Sequence, residues 1–373
     1  MMTPRQRLLT ALRRGQPDHV PVTIYEQSIY NDDWPNREPS YAPLLELERQ
    51  YGDTIVFMPA PFPVFFEGRN DVRSTTEVRP DGAKVTTTTY QTPKGPLRSV
   101  SRLDPGLMTG WQIEHLIKSD ADVERVLSLP DPPVAVDAAE LRRWEQKVGE
   151  NALLCAGPGD AVGRVVGLFD YQDFVLRCRK DDGPIRALLD VAQERLVRAV
   201  RAVGDVLKNT MFRLWGPEYC GAPLMNPRIY FRRYVVERAK QLTQVIHETG
   251  NFSVIHCHGM LRDLLDMILE IGADALEPIE TLPMPTADVT LAEVKQRIGH
   301  KMCLMGAVQA RTLEAGTPED MRREVRSAIE AAAPGGGFVL LPTSAPFMVP
   351  LTPRCLENAR VMYQTAHEFG RYA

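Results

Sequence analysis

The run Ile255-His256-Cys257-His258-Gly259 carries the sharpest chemical signal in the sequence. It closes a short apolar stretch, 253–257, that reads as a β-strand. Residues two apart on a strand face the same side, so His256 and His258 point together and Cys257 points away. Two imidazoles on one face can hold a divalent metal, Zn2+ or another, at about 2.0–2.1 Å each. A catalytic metal also needs a third protein ligand and an open position. The next strand-like stretch, 274–277, offers Glu277, and Glu280 follows it. Either could ligate, and either could instead orient a ligating histidine.

Other groups gather at similar places. Glu218 follows the strand-like stretch 211–215, and Asp170 and Tyr171 lie in Phe169-Asp170-Tyr171-Gln172-Asp173. These three are the candidate catalytic residues. Tyr25, Glu26, Trp215, Tyr219, Gln309 and Ser344 are the candidate substrate-binding residues. An ordinary loop role competes with a chemical one at each of these positions.

What must position them is a repeating unit. Strand-like segments fall at 20–25, 54–58, 152–156, 211–215, 253–257, 274–277, 302–305 and 338–341. Most are short and apolar, as strands buried on both faces should be. Helical patterns separate the later ones, at 184–207, 227–248, 261–271, 291–298, 318–332 and 353–369. Several open on a capping residue followed by proline, such as Thr317-Pro318 and Thr352-Pro353. About eight strand–helix alternations predict an α/β fold, a (β/α)8 TIM barrel. The length of 373 residues suits one such barrel with insertions, since the bare fold needs roughly 250. Residues 1–373 therefore read as a single domain. The period-two stretch within 72–102, around Pro80-Asp81-Gly82, predicts a β-hairpin insertion in the N-terminal part. In a barrel the active site lies at the carboxyl ends of the strands, where Glu26, Glu218, Tyr219, His256, His258, Glu277, Glu280, Gln309 and Ser344 fall.

Composition excludes several classes. The formal net charge is −4, from 44 basic and 48 acidic residues, and no basic stripe is interleaved with aromatics, so a nucleic-acid partner is not expected. The six cysteines are scattered with no C-x-x-C pair, which is no disulfide framework. No apolar run reaches the roughly 18 residues of a membrane span, and the polar, basic start is no secretory signal. A cytoplasmic protein with no membrane partner is expected.

With those residues in place, the chain resembles the uroporphyrinogen-decarboxylase-like superfamily. The resemblance is carried by Thr3-Pro4-Arg5-Gln6-Arg7 through Asp18-His19-Val20-Pro21-Val22, by Gly221-Ala222-Pro223-Leu224-Met225-Asn226-Pro227, and by His256-Cys257-His258-Gly259. It continues in Pro334-Gly335-Gly336-Gly337-Phe338-Val339-Leu340, Thr352-Pro353 and Glu357-Asn358. It implies a barrel, and a monomer or a homodimer. True uroporphyrinogen decarboxylases carry an arginine-rich segment after the first strand. Here that region, Tyr25 to Asp33, is acidic and has no arginine before Arg37. It would repel a polyanionic tetrapyrrole. The zinc methyltransferase branch carries H-x-C-G and a later cysteine. Here His258 replaces the cysteine, and the later position falls near Thr343-Ser344. A nitrogen- and oxygen-rich metal site is more electrophilic than a thiolate-rich one and suits a substrate oxygen or carboxylate.

The expectation is a metal-dependent methyltransferase or demethylase of a small methylated substrate, passing the methyl group to a corrinoid on a partner protein or to a folate. A metal-dependent decarboxylase or hydrolase of a small organic acid is the alternative. A non-catalytic barrel that binds a tetrapyrrole or corrinoid is the third reading.

Overall fold

In the computed structural model, which describes residues 1–32, 34–67, 71–107 and 110–372, seven apolar segments line up as one curled parallel sheet. Asp33, in the acidic stretch noted above, lies outside the described residues. The first strand is β1 (Thr54–Met58). A separate antiparallel sheet follows in sequence: β2 (Val72–Val78), β3 (Lys84–Tyr90), β4 (Leu97–Leu103) and β5 (Trp111–Glu114). In its first half β2 and β3 pair antiparallel from Val72↔Tyr90 to Val78↔Lys84 around Pro80-Asp81-Gly82. The parallel sheet resumes with β6 (Ala152–Ala156), β7 (Met211–Trp215), β8 (Phe252–His256), β9 (Ala275–Ile279), β10 (Cys303–Val308) and β11 (Phe338–Pro342). Their order is β1-β6-β7-β8-β9-β10-β11, each strand beside the next, with helices between most of them.

The expected first strand, 20–25, is not one. Val22 makes a single parallel bridge to Leu340, flanked by Leu340 N–H to the Pro21 carbonyl (2.8 Å) and Thr23 N–H to the Leu340 carbonyl (3.1 Å). On the other side Asp53 N–H reaches the Val22 carbonyl at 2.7 Å. The segment thus lies between β11 and β1 and pairs at one residue only. The reason is local. Pro21 has no N–H to give a ladder, and the N–H of Ile24 donates to the buried Glu48 carboxylate (2.9 Å). Thr23 Oγ1 donates to Glu48 as well, at 2.8 Å.

Alternation along the strands fills the interior. Ile55, Leu153, Cys155, Met211, Val254, Ala275, Cys303, Met305, Val339 and Leu341 form one buried cluster. Leu8, Leu9, Ala11 and Leu12 join it from the helix Pro4–Leu12. That helix begins as expected, with Thr3 and Gln6 capping each other's backbone and Pro4 in the first turn. It covers the amino ends of the strands: Arg5 N–H bonds to Glu150, Arg13 to Asn209 (2.9 Å) and Arg14 to the His300 carbonyl (2.6 Å). Arg7 is buried and ion-pairs with buried Asp53, which ties the helix to the start of β1. The larger hydrophobic cluster lies outside the sheet, against the helices. All six cysteines are buried and unpaired. Among the described residues no helix is long and apolar enough to cross a membrane.

Most helices begin where their caps place them, at Thr317, Thr352 and Thr290. Two start late. The expected 227–248 helix is a turn up to Tyr230, a π-helical turn over Phe231–Val236 and an α-helix over Glu237–Glu248. The Asn226 side chain accepts from Arg228 N–H at 3.1 Å and caps a turn there. The expected 261–271 helix begins at Leu265.

One glycine fixes how β7 meets the helix Ala161–Val166. Gly216 has φ +123°, and a Cβ there would stand 2.3 Å from Asp160 Oδ1 and 2.5 Å from Gly163 N. Gly216→Ala should therefore lose stability by about 2–5 kcal/mol, from a strained backbone and an overpacked contact together. Urea unfolding measures it; an unchanged midpoint would refute the tight approach.

Candidate active site at the carboxyl ends of the strands

Inward-facing residues at the upper ends of three neighbouring strands are polar: Arg213 on β7, His256 on β8 and Glu277 on β9. All three are buried. Arg213 is the centre of the group. Its Nη2 lies 2.8 Å from His256 Nδ1. Its Nε lies 2.6 Å from Glu277 Oε1, an ion pair off the hydrogen-bond direction. Its Nη1 ion-pairs with Glu26 Oε1. The guanidinium also lies 5.0 Å from the ring centres of both Tyr25 and Phe57, close enough for cation–π attraction.

Arginine can only donate, so His256 Nδ1 accepts. Tyr25 O–H, 3.1 Å from the same nitrogen, donates to it too. In the neutral ring the proton is then on Nε2. Burial, with Arg213 nearby, holds the His256 pKa down at about 4, so the ring is neutral. His258 is the reverse case. Its Nδ1 lies 3.1 Å from Glu280 Oε1, and a carboxylate accepts, so Nδ1 carries the proton and Nε2 of the neutral ring the lone pair. Glu280 is held in turn by Gly259 N–H (3.1 Å) and the Thr286 hydroxyl (3.3 Å). The two imidazoles stand edge to face, 4.7 Å between centres. One offers a donor and the other an acceptor.

One arginine faces two carboxylates here, and they are not equivalent. Burial would raise Glu277, but Arg213 and His256 outweigh it and hold the pKa below the usual range. Glu26 is left with crowding and with the charge of Glu277, which push it up to about 7, although 40% of its side chain is exposed. Its backbone is left-handed, φ +56°, a conformation a non-glycine residue holds only when its surroundings impose it. Glu218 belongs to the same field. Burial raises its pKa, against His258 and Arg213, and its Oε2 accepts from Gly216 N–H at 3.0 Å.

The expected metal ligands thus divide into two pairs, His256 with Glu277 around Arg213 and His258 with Glu280. No group of three His, Cys, Asp or Glu among the described residues is placed to hold a metal ion. The donor chemistry agrees. His256 Nδ1 and Glu277 already face a cation, and His256 Nε2 bears a proton. The residues as arranged do not fit a shared metal.

Other expected site residues serve elsewhere. Asp170 caps the helix Tyr171–Lys180, accepting from Gln172 N–H (3.0 Å) and Asp173 N–H (3.3 Å). Tyr171 donates its hydroxyl to the Tyr219 carbonyl at 2.8 Å, and the two rings pack 6.2 Å apart. These contacts give both residues structural roles. The Trp215 indole lies against Gly159 and Gly163, with Arg164 over it at 5.3 Å. Gln309 lines a different cavity, of about 750 Å3, with Thr281, Met284, Ala307 and residues of the helices Ala310–Ala315 and Pro318–Ala332. Ser344 donates to the Ala345 carbonyl within its own loop, at 3.2 Å. Tyr25 and Glu26 stand against Arg213 and His256 at the carboxyl ends of the strands. Arg213 was not among the expected residues.

With the site described, comparison with known proteins bears on its class. Residues 221–369 match the family model for uroporphyrinogen decarboxylase (URO-D). The whole fold is similar to that of a methyltransferase from Methanosarcina mazei: TM-score 0.64 at 18% identity, covering 99% of each chain. D-psicose 3-epimerase, in the presence of D-fructose, gives a TM-score of 0.40 at 13% identity, covering 69% of this chain and 96% of that one, a score too low to bear on fold or function. No curated protein sequence matches. The family likeness thus covers residues 221–369, and over the whole chain the likeness is one of fold.

Glu277→Gln should lower the Glu26 pKa below 7, because it removes a repelling charge and leaves Arg213 to Glu26 alone. Carboxyl 13C NMR titration, with Glu26→Gln for assignment, reads the shift. An unmoved or raised value would show that Glu277 does not set it.

Proposed function

We propose that the chain is a methyltransferase for a small methylated substrate, in which Glu26 gives the departing heteroatom its proton. The match of residues 221–369 to the uroporphyrinogen decarboxylase family model and the fold similarity to a methyltransferase support the reaction class. The observation that carries the residue assignment is Glu26, a carboxyl at the carboxyl ends of the strands with a pKa of about 7, anchored by Arg213. A general acid is most effective when its pKa is near the working pH.

The chemistry follows from the balance of the step. The methyl group passes to a nucleophilic acceptor as its C–O or C–N bond breaks. The bonding pair stays on oxygen or nitrogen, and that atom takes a proton from Glu26. His256 Nε2–H and the His258 Nε2 lone pair give the substrate one donor and one acceptor. In this reading the acceptor is a corrinoid on a partner protein or a folate. A decarboxylase is favoured less, because it would want a cation free for the substrate carboxylate, and each nitrogen of Arg213 already faces a protein group.

Two outcomes are expected with methoxy and methylamine substrates assayed beside methylcobamide and tetrahydrofolate acceptors. Turnover should require an acceptor and should fall as pH rises through about 7, where Glu26 loses its proton. Glu26→Gln should lower kcat roughly 10²–10⁴-fold and flatten that limb. Acceptor-independent release of carbon dioxide would move the reading to decarboxylation.

A further inference from the structure

We infer that Arg213 is the resident cation of this centre and stands where a divalent metal would otherwise be held. The inference is independent of the reaction proposed above.

Three metal-type donors converge on the guanidinium. His256 Nδ1 faces Nη2 at 2.8 Å, Glu277 Oε1 faces Nε at 2.6 Å, and Glu26 Oε1 faces Nη1. One imidazole and two carboxylates are an ordinary donor set for a divalent ion. A metal would concentrate its charge at one point and need each donor within about 2.0–2.2 Å of it. A guanidinium spreads one charge over three nitrogens in a plane, and here each nitrogen meets one donor. The walls match that plane. Tyr25 and Phe57 both stand 5.0 Å from the guanidinium carbon, contacts that suit a flat organic cation better than a hydrated ion.

The exchange has a consequence for His256. A metal bound at Nδ1 can be lost or replaced, whereas arginine keeps its charge at every relevant pH. The Nδ1 lone pair is therefore always engaged, and Nε2 always presents its proton. Arg213 is in this sense a positioning residue that fixes one tautomer.

The experiment uses the whole chain, loaded with Zn2+, freed of excess and analysed for metal, beside 15N NMR of the histidine rings. Wild type and His256→Ala should hold the same amount of zinc, because His256 is not a ligand. Arg213→Ala should gain about one equivalent, and an Arg213→Ala, His256→Ala double variant should lose it again. Guanidinium chloride at low concentration should compete with zinc in Arg213→Ala. In wild type His256 should show a protonated Nε2 and an unprotonated Nδ1 across the neutral range, and Arg213→Ala should lose that signature. Circular dichroism checks folding. If Arg213→Ala does not fold, Arg213→Lys keeps the charge without the fork and should disturb the tautomer without gaining zinc. Stoichiometric zinc in wild type that His256→Ala or Glu277→Gln abolishes would overturn the inference. So would a folded Arg213→Ala that takes up none.

Discussion

A full positive charge inside a curled sheet has to be answered, and the upper interior of this protein is organised by that requirement. Taking a guanidinium out of water costs several kcal/mol, and only close partners offset it. Arg213 recruits one from each direction: Glu277 two strands away, His256 on the adjoining strand, Glu26 from the loop before β1, and two aromatic faces. The properties of the neighbours then follow. Glu277 is held ionised, His256 is held neutral, and Glu26, second in line for a single charge, is left near neutrality.

The strands deliver these groups because of their register. Trp215 lies level with His256, and His256 with Glu277. Two residues below, the same columns hold Val254 and Ala275, both in the apolar interior cluster. The interior of the sheet therefore changes from apolar to polar within one step of the side-chain alternation. The histidine beyond the strand, His258, escapes the arginine and takes Glu280 instead. Two identical side chains two residues apart thus acquire opposite proton positions.

Much of this was legible in the sequence, and the gaps have physical causes. The seven paired strands showed as short apolar runs, and the His256, His258 pair showed through its spacing. Arg213 stood in plain view in Met211-Phe212-Arg213-Leu214-Trp215, on the same side as Met211. A charge in an apolar strand is easily taken for a surface residue, and inward parity was the signal that could have found it. Asp170 misled for another reason: a helix-capping aspartate and a catalytic one look alike until the N–H groups they accept from are known. The segment 20–25 has strand composition throughout. What stops it from pairing further is Glu48, on a helix more than twenty residues later, and no local pattern reveals that.

The helix Pro4–Leu12 gives the curled sheet a direction. With Leu8, Leu9, Ala11 and Leu12 seated against the interior residues, the amino ends of the strands are stoppered. Of the three groups that face the guanidinium nitrogens, Glu26 is the one that meets water, at the opposite end. A ligand approaching this cluster would therefore meet Glu26 first, and whatever Glu26 releases to solvent has only a short way to go.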